Sequence, residues 1–496
     1  MEQTIFHLRG IRAVALLSML NAMAGVACAK GGASTVAGPE PKTAAEVPKD
    51  SRGNTVATAA VGHFKDALDM LLRHDRAGDW NPDACKATAS AFLSAVREQG
   101  DRVLVEAIYN AGLSYQRCKM DADAKKHFQQ ALESDPKFHR ARMQVALYSL
   151  ADSVEKDLDK AISEMRQAAV VDAQFKNVEA LVHLGMLYMK RNNTTLEDDL
   201  PNDLARTKKY AQSALAVDDT YMPAYNLLAL LYLEAAKEKA GQTTRRIMVG
   251  SSRSKKVDSQ ALELAALVCS QAIRKNPRYA PIHNTAGMIQ VELGNLNNAV
   301  SEFNVSRTVD PTFYEAQMNY AVVNPQFRGF KQSEGAYRAV IKMRPNDFDA
   351  HLGLALALRG LINDSNFDAM VADAGRELDA AKKLEPDRAE TYYNEAILTQ
   401  EYRAKSGGSS AEAALTQAKS LFSTFIEKAG SQPEYAEAVK RSHERKKEID
   451  QIIAFNKETE ADRKRSEAET RQKDAEAEAA ATDEGEKKPE KAAPHP

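Results

Sequence analysis

A repeat of fixed length that ends in proline is the feature that most constrains how this 496-residue chain can fold. Lys-Asn-Pro ends at Pro277, Val-Asp-Pro at Pro311 and Met-Arg-Pro at Pro345, so consecutive phrases are 34 residues apart. Related phrases end at Pro136 and Pro386. Since a fixed period of this size is typical of stacked supersecondary units, the sequence predicts an array rather than a single compact core.

Small and aromatic residues recur at matching places within each period. Before Pro136, for example, Ala124, Phe128 and Ala131 lie 12, 8 and 5 residues upstream. Spacings of 3, 4 and 7 put such residues on one face of a helix, and proline suits the first turn of the next helix. The first helix of a unit shows a small pair followed by an aromatic residue: Ala111-Gly112 with Tyr115, Leu184-Gly185 with Tyr188, and Leu228-Ala229 with Tyr232.

These positions resemble the tetratricopeptide repeat family over roughly residues 56–453. The resemblance implies an all-α solenoid, a right-handed superhelix of helix pairs, with disordered N- and C-terminal segments. It also implies that the first helices line a concave face. The predicted units are 105–138, 141–175, 178–221, 222–279, 280–313, 314–347, 348–388 and 389–430.

The predicted domain organisation has five parts. They are a signal peptide with lipobox at 1–28, a flexible tether at 29–55, capping helices at 56–104, the repeat array at 105–455, and a charged, Ala-rich tail at 456–496 that is disordered or helical. Within the array, Asn324-Pro325 should kink a first helix or end it early. Insertions are expected after Asn192 and at 237–258, and insertions in such arrays map to loops.

The N-terminus predicts export. Arg9 and Arg12 precede a short apolar run and then small residues, which is typical of a secretory signal peptide. Cleavage after Ala29 would release a soluble periplasmic protein, whereas Gly25 to Cys28 resembles a bacterial lipobox with Cys28 acylated. We prefer the lipobox. By resemblance to proteobacterial lipoproteins, it places the protein at the outer membrane, facing the periplasm.

Composition and motifs argue against several function classes. With 67 Lys and Arg against 69 Asp and Glu, the net charge of -2 gives no basis for nucleic-acid binding. The sequence has no phosphate-binding, dinucleotide, zinc-protease or hydrolase motif. His183 and His351 fall inside repeat helices and are interpreted as packing or surface residues. We therefore expect no enzyme activity, cofactor, metal or small-molecule substrate.

The four cysteines are too few for a disulfide scaffold. Cys269 takes the place of a packing aromatic, so it is expected to be a small buried apolar residue. Cys85 and Cys118 could form a disulfide in an oxidising compartment, and the sequence leaves this open.

The predicted partner-binding site is a mostly apolar groove on the first helices, suited to an amphipathic helix or an extended peptide. The alternative is that these residues only pack between helices. The groove residues are Tyr109, Leu113, Val182, Met186, Asn226, Leu230, Asn284, Met288, Met318, Leu352, Leu356 and Tyr393. A second candidate is the basic loop, with Arg245, Arg246, Arg253, Lys255 and Lys256; it could bind an acidic protein, bind lipid or cell-wall polymer, or be a solvated loop.

The combination of lipobox, repeat array, basic insertion and charged tail resembles the tetratricopeptide lipoproteins of the myxobacterial adventurous gliding machinery. The resemblance implies a scaffold in a trans-envelope complex, anchored by lipid and contacting other periplasmic and outer-membrane proteins. The alternatives are an assembly lipoprotein for pili, secretion or outer-membrane proteins, and an envelope enzyme or glycan-binding protein.

Overall fold

The structure is a computed structural model, and it describes residues 48–100, 102–152, 157–170, 176–246, 259–406 and 408–485. This described part of the chain is all-α: it contains helices, turns and isolated β-bridges but no strand. The fold-class prediction of stacked helix pairs is therefore confirmed. The predicted signal peptide, Cys28 and most of the tether lie outside the described residues.

The described residues divide into two units, 48–323 and 324–485. The first unit contains thirteen of the described α-helices: α1 (Thr58–Ala77), α2 (Pro82–Glu98), α3 (Val105–Arg117), α4 (Asp121–Ser134), α5 (His139–Asp152), α6 (Leu158–Ala169), α7 (Val178–Arg191), α8 (Asp203–Val217), α9 (Met222–Arg246), α10 (Ser259–Lys275), α11 (Ala280–Glu292), α12 (Leu296–Val309) and α13 (Tyr314–Val323).

The second unit contains the other six: α14 (Phe330–Met343), α15 (Phe348–Gly360), α16 (Phe367–Leu384), α17 (Ala389–Glu401), α18 (Gly408–Ala429) and α19 (Ala436–Gly485). A short 3-10 helix, Asn324–Phe327, follows the end of α13 at Val323. The early break predicted from Asn324-Pro325 is thus confirmed, because proline has no N–H to continue the helix.

Side-chain caps start many of these helices where the sequence places Asn or Asp before an apolar run. Asn81 accepts hydrogen bonds from the backbone N–H groups of Asp83 and Ala84, and Pro82 occupies the first helical position. Asp157, Asn177, Asn202 and Asp347 cap their helices in the same way. Such caps satisfy N–H groups that have no partner within the helix, and each contributes about 1 kcal/mol.

The core of each pair consists of the small and aromatic residues that define the period. Ala124, Phe128 and Ala131 are all 0% exposed, and Cys269 is 2% exposed, as a small apolar packing residue should be. Burial raises the pKa of the Cys269 thiol to about 12, which keeps it protonated.

The structure differs from the sequence interpretation at the insertion predicted at 237–258, which begins as helix because α9 continues to Arg246. Of the two forms that the sequence left open for the tail, disordered or helical, the structure shows the helical one up to Gly485. Helix α19 runs from Ala436, and its described side chains beyond Ile453 are exposed. Opposite charges four residues apart, such as Lys464 with Glu460 at 2.8 Å, support this exposed helix.

Replacing Gly287 with Ala is expected to destabilise the fold. A Cβ atom at this position would lie 2.5 Å from a ring carbon of Phe303, so the helices of this pair would have to separate. Overpacking costs about 1–3 kcal/mol. The matched control is Gly62→Ala in α1, where a Cβ would meet nothing within 4 Å; it should stabilise by about 0.5–1 kcal/mol. Urea midpoints of the two variants should therefore move in opposite directions, and a shared direction would contradict the packing argument.

Candidate functional site

The first helices of consecutive pairs form one continuous surface in the unit 48–323. Helices α7, α9, α11 and α13 contact one another directly in series, more extensively than the second helices of the same pairs do. This arrangement places the first helices on the inner side of the stack. We call the surface that they form the first-helix face.

The predicted groove residues lie on first helices, nine of them in the unit 48–323 and three in the unit 324–485, but they are largely covered. Eleven of the twelve have an exposed fraction of 8% or less, and only Leu113 is half-buried. Tyr109, for instance, packs its ring 5.4 Å from that of Phe128 and 5.5 Å from that of Phe138. The burial favours packing between helices as their main role, and contact between any of them and a partner stays a prediction.

The accessible part of the first-helix face is polar, which the sequence interpretation missed. Arg140 on α5 is exposed, and Glu179 on α7 and Tyr221 just before α9 are half-buried. The charge of Glu179 raises the pKa of both Tyr109 and Tyr221, adding to the larger effect of their burial. These groups therefore lie within electrostatic range of one another, and we call them the Glu179 cluster.

Glu179 has no strong counterion in this cluster. Among the described residues, the basic side chain closest to the Glu179 carboxylate is that of His183, whose Nε2 lies 4.0 Å away; burial lowers the pKa of His183 to about 4, so that ring is neutral at pH 7. Desolvation by the surrounding helices raises the pKa of Glu179 to about 7, although the charge of Arg140 acts in the opposite direction. A carboxyl group of this kind changes charge near neutral pH.

Several buried polar atoms along the same face make no hydrogen bond. They include the Tyr279 hydroxyl, Asn284 Nδ2, His183 Nδ1 and Glu315 Oε1. Asn284 does accept a 2.9 Å hydrogen bond from Asn319, and Thr285 donates one of 2.7 Å to Asn226, so the polar groups of adjacent first helices are partly linked. Because an unmade buried hydrogen bond costs about 1–3 kcal/mol, these atoms lower the stability of the packing between the first helices.

The pH dependence of stability should depend on Glu179. Between pH 4.5 and about 7 the folded protein keeps a proton that the unfolded chain has already released, so this group makes the free energy of unfolding fall as pH rises. His183 acts with the opposite sign between about pH 4 and 6.5, because its pKa is lowered in the fold. Comparing the Glu179→Gln variant with the wild type isolates the effect of the carboxyl group on stability, since His183 is present in both proteins.

We expect Glu179→Gln to be more stable than the wild type above pH 7, because the buried negative charge is then absent. The gain in the free energy of unfolding should be only on the order of 1 kcal/mol, since the Glu179 side chain is 32% exposed and the charge of Arg140 already stabilises the carboxylate. The difference should shrink toward pH 5. Urea titrations of both proteins at pH 5, 6, 7 and 8 measure it. A stability difference that does not change with pH would contradict the raised pKa of Glu179.

The insertion after Asn192 is held by arginines. Arg206 is 0% exposed and donates to the carbonyl oxygens of Thr195 at 2.8 Å and of Leu200 at 3.0 Å, and to Asp203 Oδ1 at 2.6 Å. Arg191 donates to both oxygens of Asp203 at 2.8 and 2.9 Å. The insertion is therefore an ordered loop, and it presents the side chain of Leu196 with 75% exposure.

The basic loop lies mostly outside the described residues. The backbone of Arg245 and Arg246 belongs to the last turn of α9, whereas Arg253, Lys255 and Lys256 are not described. Its role stays a prediction.

Cys85 and Cys118 form a disulfide, with their Cα atoms 6.3 Å apart. The bond joins α2 to the end of α3, and so connects the capping pair to the first predicted repeat.

No group of three metal-ligating side chains occurs within the described ranges, and no described helix is long and apolar enough to cross a bilayer. His351 Nδ1 lies 2.6 Å from a carboxylate oxygen of Glu377, and its Nε2 lies 2.9 Å from the carbonyl oxygen of Pro345, so this histidine is a satisfied packing residue.

Comparisons with known proteins agree with the repeat interpretation. The tetratricopeptide repeat profile matches residues 105–138, a span that contains α3 and α4. No curated protein sequence matches the chain significantly. Solved structures similar to it include the thermophilic TPR protein TTC0263 of Thermus thermophilus, with 19% identity, coverage of 45% of this chain and 99% of that one, and a TM-score of 0.35.

Two further solved structures are similar over part of the chain. A tetratricopeptide repeat protein of Parabacteroides merdae has 16% identity, coverage of 61% of this chain and 99% of that one, and a TM-score of 0.35. PilF of Pseudomonas aeruginosa has 16% identity, coverage of 50% and 95%, and a TM-score of 0.34. At these scores the similarities add nothing to the fold seen in the helix pairs themselves.

Proposed function

We propose that this protein is a non-enzymatic scaffold that binds other proteins in the cell envelope. One observation carries the proposal: the first-helix face presents polar side chains from neighbouring first helices, with Arg140 exposed and Glu179 and Tyr221 half-buried and within electrostatic range of one another. An extended peptide or a helix supplies both donors and acceptors, so it can bind several of these side chains at once.

The envelope location is supported by two independent features. The N-terminal sequence has the basic start, apolar run and small residues of an export signal, with Cys28 at the lipobox position. The Cys85–Cys118 disulfide suits an oxidising compartment such as the periplasm. We propose an outer-membrane lipoprotein that faces the periplasm and belongs to a trans-envelope complex of the gliding-motility kind.

Site-specific photo-crosslinking tests the binding surface. A photoreactive amino acid at Arg140, which is exposed on the first-helix face, should capture envelope proteins in living cells. The same amino acid at Gln129, exposed on the second helix α4, is the matched control and should capture far fewer. Equal capture from both positions, or none from Arg140, would overturn the proposal.

The proteins captured also separate the candidate processes. Gliding-complex subunits would support the gliding assignment, whereas pilus, secretion or outer-membrane assembly proteins would replace it with the assembly role.

Replacing Cys28 with Ala should release the protein from the membrane fraction, because acyl chains on this residue would provide the anchor. Unchanged membrane retention would exclude the lipid anchor.

A further inference from the structure

His283 on α11 has a hydrogen-bond acceptor at each nitrogen of its ring. Nδ1 lies 2.7 Å from a carboxylate oxygen of Glu302 on α12, and Nε2 lies 3.0 Å from the carbonyl oxygen of Pro277, in the connection before α11. A neutral imidazole carries one N–H and can donate to only one of these acceptors, whereas the imidazolium ion can donate to both. The geometry therefore suits the charged form of His283.

The same bridge occurs in two other repeat units, one of which uses a permanent cation. Arg142 on α5 donates to the carbonyl oxygen of Pro136 at 2.8 Å and to Glu164 on α6 at 3.3 Å. His351 makes the same pair of contacts in its own unit. This position in a first helix thus holds a cation between the preceding connection and a carboxylate of the second helix. Arginine keeps its charge at every pH, but histidine does not.

Gln317 on α13 fills the corresponding place without a charge. Its Nε2 donates to the carbonyl oxygen of Pro311 at 3.1 Å. A neutral amide can therefore serve the carbonyl oxygen, and the charge matters for the carboxylate of the second helix.

The charge that faces His283 comes from Glu302. Helices α9, α10, α12 and α13 pack against α11, and among the described residues Glu302 is the one charged group on them that acts on His283. The Cys269 thiol on α10 also lies within range of the Glu302 charge, but its pKa of about 12 keeps it neutral. Since His283 is only 6% exposed, water competes little for its two contacts.

The stability contribution of His283 has a definite sign. Burial disfavours its charge, but the hydrogen bonds to Glu302 and Pro277 and the charge of Glu302 outweigh burial, so the pKa of His283 is raised above its ordinary value of 6.5. A group with a raised pKa stabilises the fold fully below about pH 6.5, and this contribution is lost as the pH rises through the pKa of the folded state.

We propose that His283 is a protonation-dependent latch, in which the imidazolium ion joins the connection before α11 to α12. Loss of its proton to water leaves one N–H for two acceptors, so one contact breaks and the helix pair α11–α12 loosens. Asn284 and Thr285 next to it link α11 to α13 and α9, so the loosening reaches the first-helix face. The latch adds control by pH to the array and does not rest on the proposed scaffold function.

Urea titrations of the full-length protein at pH 5.5 and pH 9 test the latch. His283→Gln keeps a neutral donor for the carbonyl oxygen of Pro277 but carries no charge. The urea midpoint of the wild type should exceed that of this variant at pH 5.5, and the difference should disappear or change sign at pH 9. His63→Gln is the matched control, because His63 is exposed on α1; its difference from the wild type should be the same at both pH values.

A double-mutant cycle with Glu302→Gln separates the ion pair from packing. The coupling between His283 and Glu302 should be several-fold larger at pH 5.5 than at pH 9, because the neutral ring loses the attraction to the carboxylate. If His283→Gln does not fold, Glu302→Gln alone is decisive: it should lower the urea midpoint at pH 5.5 and not at pH 9. A coupling, or an effect of Glu302→Gln, that is the same at both pH values would make His283 a packing residue and overturn the proposal.

Hydrogen exchange shows where the fold loosens. At pH 5.5 the protection factors of α11 and α12 should be several-fold lower in His283→Gln than in the wild type, and at pH 9 they should be equal. Those of α1 and α2 should not differ at either pH. Unchanged protection of α11 and α12 at pH 5.5 would also overturn the latch.

Discussion

Replacing Arg206 with Met should lower the free energy of unfolding by about 3–5 kcal/mol, the largest effect that we expect from a single substitution in this chain. Arg206 is 0% exposed and donates hydrogen bonds to Asp203 and to the carbonyl oxygens of Thr195 and Leu200. Methionine of similar volume would remove the donor to the Thr195 carbonyl oxygen in a site that water cannot readily enter, and would leave Arg191 as the one arginine that donates to Asp203. The loop after Asn192 would lose part of its attachment to α8.

Urea titration followed by far-UV circular dichroism measures this loss. Lys209→Met on the same helix is the control; because Lys209 is exposed, its substitution should change stability by no more than about 0.5 kcal/mol. A double-mutant cycle with Asp203→Asn should give strong coupling, since Asp203 Oδ1 lies 2.6 Å from the Arg206 guanidinium. Equal midpoints for Arg206→Met and Lys209→Met would show that the buried arginine does not stabilise the loop.

Loss of the Cys85–Cys118 disulfide should cost about 3–4 kcal/mol. The bond closes a sequence separation of 33 residues, and constraining a loop of that length in the unfolded chain stabilises the fold by roughly this amount. It joins α2 to the end of α3, so its absence should release the capping pair first. In a reducing compartment the same pair would be held by packing and by the hydrogen bonds from Arg117 to Asp75.

The disulfide is tested in a Cys269→Ala background, which removes the remaining described thiol. Thermal unfolding of this protein should shift to lower temperature on addition of reductant, whereas the Cys85→Ser, Cys118→Ser variant in the same background should not respond. Hydrogen exchange in α1 and α2 should rise on reduction. A reductant-independent transition with both cysteines present would show that the bond contributes little.

Much of the fold could be predicted from the sequence because the period depends on local chemistry. Ala124, Phe128 and Ala131, which lie at fixed distances before Pro136, share one face of a helix whatever lies beyond, and the structure buries all three of these apolar residues. The helix break at Asn324-Pro325 is also a local effect, since proline lacks the N–H that continues a helix. Cys269 was identified as a packing residue by its place in the period alone.

The candidate site was predicted only in part. Position in the repeat correctly put Tyr109, Val182 and Met186 on first helices, but neighbouring first helices cover them almost completely. Glu179 was not identified, because its raised pKa depends on burial by neighbouring helices and on the lack of a strong counterion nearby. A sequence shows which charges exist, whereas burial and pairing depend on how distant segments approach.

The sequence by itself therefore determined the helix pairs, their period, their breaks and the residues between them, since these follow from periodicity and from the backbone limits of proline. Only the tertiary structure decided which side chains remain accessible and which charges are left without a partner. Those properties arise when helices far apart in the chain exclude water together. In this protein they make the Glu179 cluster, rather than an apolar groove, the candidate site.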